Sequence, residues 1–208
     1  MNLCKICFQD VDNGVTLKEY LFEDDVICGC CRYQMIPNNK IYKYKNMRVH
    51  AFYVYNDFLE RLLFQYKEGR DIALFDLFLW KNKEEMNDIF RHHDCVIMPS
   101  SEEKIRERGF HHLKKMLSIC DIKIHDCFIK NKNHKQSLQR SKNREIIHEI
   151  LELKEVPQNN YYLFDDVVTT GNTLLTAIEK LGIKDEIVDV YALSVHPHFV
   201  ELCDILEL

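Results

Sequence analysis

The sequence predicts an α/β fold, a largely parallel sheet flanked by helices, with a small N-terminal Cys4 zinc module ahead of it. Three observations carry this. From residue 49 onward, β-rich segments alternate with segments of helical spacing, the pattern of strand–helix–strand units. Five of the nine cysteines lie before residue 32. And "YYLFDDVVTTGNTLL", from Tyr161 to Leu175, runs from an apolar stretch through two carboxylates and a small polar loop into a helical pattern.

The elements follow in order. The turn-rich "IPNNK" (Ile36–Lys40) separates a zinc-binding module, 1–40, from the α/β domain, 41–208. "VHAFYVY" (Val49–Tyr55) alternates as a strand does. Phe58, Leu59, Leu62, Leu63 and Tyr66 fall at helical spacing, and Gly69 ends that helix. Asp71 suits the N-cap of a second helix reaching Trp80. Cys95–Pro99 reads as a short buried strand, Phe110–Cys120 as a helix and Cys127–Lys130 as a strand. Ser141–Leu153 reads as a helix. Tyr161–Phe164, Thr173–Leu181 and Ile187–Ser194 then read as strand, helix and final strand.

Composition narrows the class. The 208 residues are 46% hydrophobic, enough for a real core and too apolar for disorder. A net charge of −5 gives the whole chain no general affinity for nucleic acid. The richest apolar run, "IALFDLFLW" (Ile72–Trp80), is too short to span a bilayer and contains Asp76. "MNLCKIC" has neither the basic nor the apolar region of a signal peptide. The expectation is a cytoplasmic protein with reduced thiols or metal-bound cysteines rather than disulfides.

Cys4 and Cys7 form one C-x-x-C, and Cys28 and Cys31 a second. Such turns aim paired thiolates at one point, and four of them close a tetrahedral Zn²⁺ shell, making the site structural. Cys30 could take the place of Cys31. Cys95, Cys120, Cys127 and Cys203 are scattered and read as small hydrophobes.

Asp165 and Asp166 stand where a strand of an α/β sheet ends, the side on which such sheets bind ligands. Thr169, Thr170, Gly171, Asn172 and Thr173 form the turn into the next helix, whose amides and hydroxyls suit a phosphate. Carboxylates cannot hold phosphate, but they accept hydrogen bonds from vicinal hydroxyls. A ribose 5-phosphate satisfies both halves. None of the six glycines begins a G-x-x-x-x-G-K-[ST] loop, and no G-x-G-x-x-G is present, which removes Walker and dinucleotide readings.

At these residues the sequence resembles a known family. "FDDVVTTGNT" looks like the phosphoribosyl-diphosphate (PRPP) loop of type I phosphoribosyltransferases. The cysteine pairs, "QYKEGRD" (Gln65–Asp71), "MPSSEEKIRERGF" (Met98–Phe110) and "HKQSLQRSKNR" (His134–Arg144) are similar to segments of the ComF family of competence proteins, in the same order. Where that family has Asn-Gln after Gly-Phe, this chain has His111-His112, read as a partly exposed helix start.

The resemblance implies a type I phosphoribosyltransferase-like domain. It implies that Asp165 and Asp166 contact the ribose hydroxyls, directly or through Mg²⁺. Thr169–Thr173 would hold the 5-phosphate, Lys67 would lie near the pyrophosphate, and Arg106 and Arg108 would sit on a loop over the site. It implies a role in uptake of single-stranded DNA during natural transformation, with a partner helicase at the inner face of the membrane. Two other functions fit the same site, a working phosphoribosyltransferase of nucleotide salvage and a PRPP-sensing adaptor without turnover.

"KNKNHKQSLQRSKNR" carries Lys130, Lys132, Lys135, Arg140, Lys142 and Arg144 without one acid. Such a run can neutralise phosphates of single-stranded DNA, or be an ordinary solvated basic surface.

Overall fold

The computed structural model describes residues 2–22, 24–130, 151–184 and 186–207. Nine strands are described: β1 (Lys40–Tyr44), β2 (Met47–Val54), β3 (Asp94–Ile97), β4 (Ile124–His125), β5 (Phe128–Lys130), β6 (Leu151–Leu153), β7 (Tyr161–Val168), β8 (Val188–Val195) and β9 (Asp204–Glu207). Seven form one sheet in the order β4-β3-β7-β8-β2-β1-β9. The five from β4 to β2 are mutually parallel, and β1 is antiparallel to both β2 and β9. The expected fold class, an α/β sheet that is mostly parallel, is the one observed. All four residues of β3 are buried, as a parallel strand covered on both faces requires.

The helix Asp57–Lys67 begins at Asn56, whose side chain accepts from Leu59 N at 2.9 Å. It buries Leu59, Leu62, Leu63 and Tyr66, one stripe at i, i+3, i+4 and i+7. The helix Asn172–Lys180 likewise buries Leu174, Leu175 and Ile178.

Several expectations need correction. No α-helix runs from Asp71 to Trp80. Asp71 does cap, accepting from Ala73 N at 3.2 Å, but only a 3-10 turn, Ile72–Leu74, follows. Leu77, Phe78 and Leu79 are all fully buried. The Leu77 carbonyl accepts from Arg32 Nη1 at 2.9 Å, so tertiary contacts take the groups a helix would use. The helix comes later, at Lys83–Ile89.

The helix expected over Ser141–Leu153 falls mainly outside the described residues, and its last three residues are β6. Leu151 is buried and Glu152 exposed, a period-2 pattern that pairs antiparallel with β5. The helix expected over Phe110–Cys120 is the shorter His112–Leu117. The helix Glu102–Arg108, capped by Ser101 and ended at Gly109 with φ +87°, has no counterpart among the expected elements. Nor have β1 and β9, so Val188–Val195 is not the final strand.

The cysteine-bearing segment packs against the loop after residue 71. Lys5 Nζ bonds Asp76 Oδ2 at 2.5 Å, and Trp80 Nε1 donates to the Asp24 carbonyl at 2.9 Å. Among the described residues, no helix is long and apolar enough to cross a membrane.

Candidate functional site

Strand order places the cleft. From β3 the chain turns outward to β4, whereas from β7 it turns the other way to β8. Between β3 and β7 the winding reverses, and a crevice opens beyond their carboxyl ends. A cleft of about 250 Å³ lies there, with Lys67, Lys104, Arg108, Lys130, Asp165 and Asp166 in its walls. Ser100, Ser101, His112 and Thr173 complete the polar lining.

The two carboxylates lie within β7, which runs on to Val168. Adjacent residues on a strand face opposite ways, and their surroundings differ accordingly. Lys67 Nζ donates to Asp166 Oδ2 at 2.5 Å, and His112 Nε2 lies 3.6 Å from the same oxygen. Burial opposes a charge on Asp166, but the Lys67 ammonium and the His112 ring outweigh it and hold this carboxyl well below the usual range. Among the described residues, Asp165 has no such cation in contact. Its Oδ1 accepts from the Asp166 amide at 2.9 Å. Burial, reinforced by the Asp166 charge, pushes Asp165 up to about 8.

Arg108 is 7% exposed. Its Nε donates to the Lys67 carbonyl at 2.8 Å, Nη2 lies 3.7 Å from Glu68 Oε1, and Nη1 is buried with no hydrogen-bond partner among the described residues. Arg106, on the same helix, is exposed and not part of the cleft lining. Lys130 lines the cleft, where burial lowers its pKa and Asp165 opposes that shift. Lys132, Lys135, Arg140, Lys142 and Arg144 lie outside the described residues.

Of the five residues expected in the turn, Thr169, Thr170 and Gly171 connect β7 to the helix Asn172–Lys180, while Asn172 and Thr173 are the first residues of that helix. Gly171 has φ +71°, and a Cβ there would lie 2.7 Å from Phe199 Cε2. Its freedom therefore serves the turn and the packing on Phe199. Thr173 reaches the cleft wall, whereas Thr169 lines a neighbouring pocket with Tyr55, Phe64 and Lys67.

At the N-terminus, sulfur atoms of Cys4, Cys7, Cys28 and Cys31 all lie within 4.8 Å of one another. The Cys7–Cys28 separation is 3.6 Å. Zn–S bonds of about 2.3 Å in a tetrahedron separate sulfurs by roughly 3.8 Å, so the set fits structural zinc. Cys31 is buried and in the cluster, while Cys30 is exposed. That answers which cysteine of the second pair faces the others.

No family model matches the chain. A curated protein does. The chain is similar to competence protein ComFC of Bacillus subtilis (strain 168). The two are 28% identical over 128 residues, 60% of this chain and 53% of the relative. The match thus spans about half the length of ComFC, and it agrees with the resemblance drawn from the motifs.

One cleft residue not assigned from the sequence is His112. It does start a helix, His112–Leu117, but it is 5% exposed rather than partly exposed, and it faces Asp166. Ser100 and Lys104 also went unassigned. The signal for Ser100 was available, since it follows the proline that ends a buried strand, on the ligand side of the sheet. Nothing local marks His112, whose partners Tyr66 and Asp166 are remote in the chain, the Tyr66 hydroxyl donating to the His112 carbonyl at 2.7 Å.

Proposed function

We propose that the chain is a competence accessory protein handling single-stranded DNA during natural transformation, and that its cleft binds PRPP. The cleft reading rests on one observation. Four cations, Lys67, Lys104, Arg108 and Lys130, surround two carboxylates at the point where the sheet's winding reverses. An excess of cations over acids suits a diphosphate, and a guanidinium fork with a free nitrogen suits its oxygens. The acids then serve the ribose hydroxyls, and the turn Thr169–Thr173 serves the 5-phosphate. Mg²⁺ would accompany the diphosphate and carry part of its charge. Zinc held by the four cysteines would anchor the 1–40 module on the 41–208 domain. The similarity to ComFC supports the competence role and, with it, the uptake machinery as partner.

Calorimetry of PRPP with Mg²⁺ tests the cleft, comparing native protein with the Asp165→Asn/Asp166→Asn double variant. The proposal expects saturable binding that the double change abolishes while the far-ultraviolet spectrum stays the same. A folded, zinc-loaded native protein that binds no PRPP would sink it. Acceptor-dependent release of pyrophosphate in the same samples would instead mark a working phosphoribosyltransferase.

A further inference from the structure

His112 is held through both its backbone and its ring. Tyr66 OH donates to its carbonyl at 2.7 Å, and Ser100 Oγ lies 3.0 Å from Nδ1. On the far side of the ring, Nε2 is buried and has no hydrogen-bond partner among the described residues. Asp166 Oδ2 is 3.6 Å away, a charge contact but too long for a hydrogen bond. A lone pair on Nε2 would face a carboxylate. The favourable arrangement therefore puts the proton on Nε2 and lets the Ser100 hydroxyl donate to Nδ1. The cleft then offers an unused N–H beside a carboxylate oxygen. A buried donor without a partner is costly in the free protein, and a ligand atom that satisfies it recovers that cost.

The gap selects the atom. An oxygen can lie about 2.8 Å from both Nε2 and Oδ2, within hydrogen-bond distance of each. It must accept from His112 and donate to Asp166. A phosphate oxygen only accepts and is repelled by the carboxylate. A hydroxyl does both. We propose that His112 and Asp166 together read one hydroxyl of the bound sugar, which makes His112 a specificity residue selecting ribosyl over deoxyribosyl ligands. This rests on the phosphoribosyl reading of the cleft.

The experiment measures the affinities of ribose 5-phosphate and of its 2-deoxy and 3-deoxy analogues for native protein, His112→Gln and His112→Asn. The native protein should prefer ribose 5-phosphate over one analogue by about tenfold to a hundredfold, the range for a hydrogen bond to a charged group. Gln, whose amide nitrogen can reach the Nε2 position, should keep the preference. Asn, whose amide reaches only the Nδ1 side, should erase it. Should Asn fail to fold, the native ratios still decide, because native protein binding all three sugars equally overturns the proposal. Preference unchanged in a folded His112→Asn also overturns it, with the phosphoribosyl reading intact. Native protein that binds no sugar phosphate overturns that reading and the proposal together.

Discussion

Lys67 Nζ lies 2.5 Å from Asp166 Oδ2, joining the last residue of one helix to a strand 99 residues later. The carboxylate is nearly buried and the lysine about a quarter exposed. Removing the cation strands a buried charge. Lys67→Met should lower unfolding free energy by about 2 kcal/mol, below the 3–5 kcal/mol of a fully buried pair. Urea denaturation checks this, and adding Asp166→Asn should restore part of the loss.

The divided carboxyl pair predicts a pH dependence. Asp165 is raised to about 8, so the native state holds its proton where the unfolded chain has lost it. The stability this contributes is full below the ordinary carboxylate value and is lost as pH rises through about 8. Asp166 has the opposite sign, its contribution being present above the ordinary value and lost as pH falls toward its depressed pKa. A ligand needing ionised Asp165 must drive off a proton, so its affinity should rise about tenfold per pH unit between pH 6 and 8. Calorimetry in buffers of different ionisation enthalpy should show proton release that Asp165→Asn removes.

Zinc binding should separate the two adjacent cysteines. Cys31→Ser should lower the zinc content of purified protein and its melting temperature, and Cys30→Ser should change neither. Chelation should loosen the Lys5–Asp76 contact as well, because Lys5 lies between two of the sulfur ligands. Metal analysis beside thermal melts reads both effects.

Gly171→Ala should be costly for a residue so close to the surface turn. The left-handed backbone costs about 1–2 kcal/mol for an L-residue. Pushing the Phe199 ring aside costs about 1–3 kcal/mol more. A loss near the middle of the summed range is expected in urea denaturation, whereas Gly182→Ala, which meets nothing within 4 Å, should show the backbone cost alone.

Single-strand binding tests the basic run. Neutral replacement of Lys132, Lys135, Arg140, Lys142 and Arg144 should weaken binding at low salt and flatten the salt slope by about 0.7 for each phosphate that is no longer neutralised. Fluorescence anisotropy across a salt series measures it. An unchanged slope would show that DNA binds elsewhere on the protein.

Features set by short-range chemistry are legible in the chain. Cys4, Cys7, Cys28 and Cys31 announce their cluster because C-x-x-C turns converge locally. The stripe from Leu59 to Tyr66 announces a helix because four residues on one face must be buried together. Asp165 and Asp166 before Gly171 announce a ligand end because strand, loop and helix are contiguous in the chain. The tertiary structure alone decided the rest. Leu77, Phe78 and Leu79 leave helical form because Arg32, 45 residues away, takes a carbonyl. Leu151–Leu153 is a strand because β5 pairs with it. And the two carboxyls, adjacent in sequence and alike in chemistry, differ only because Lys67 and His112 arrive beside one of them from other elements. Electrostatic roles depend on distances through space, and those are settled by packing between segments that are remote along the chain.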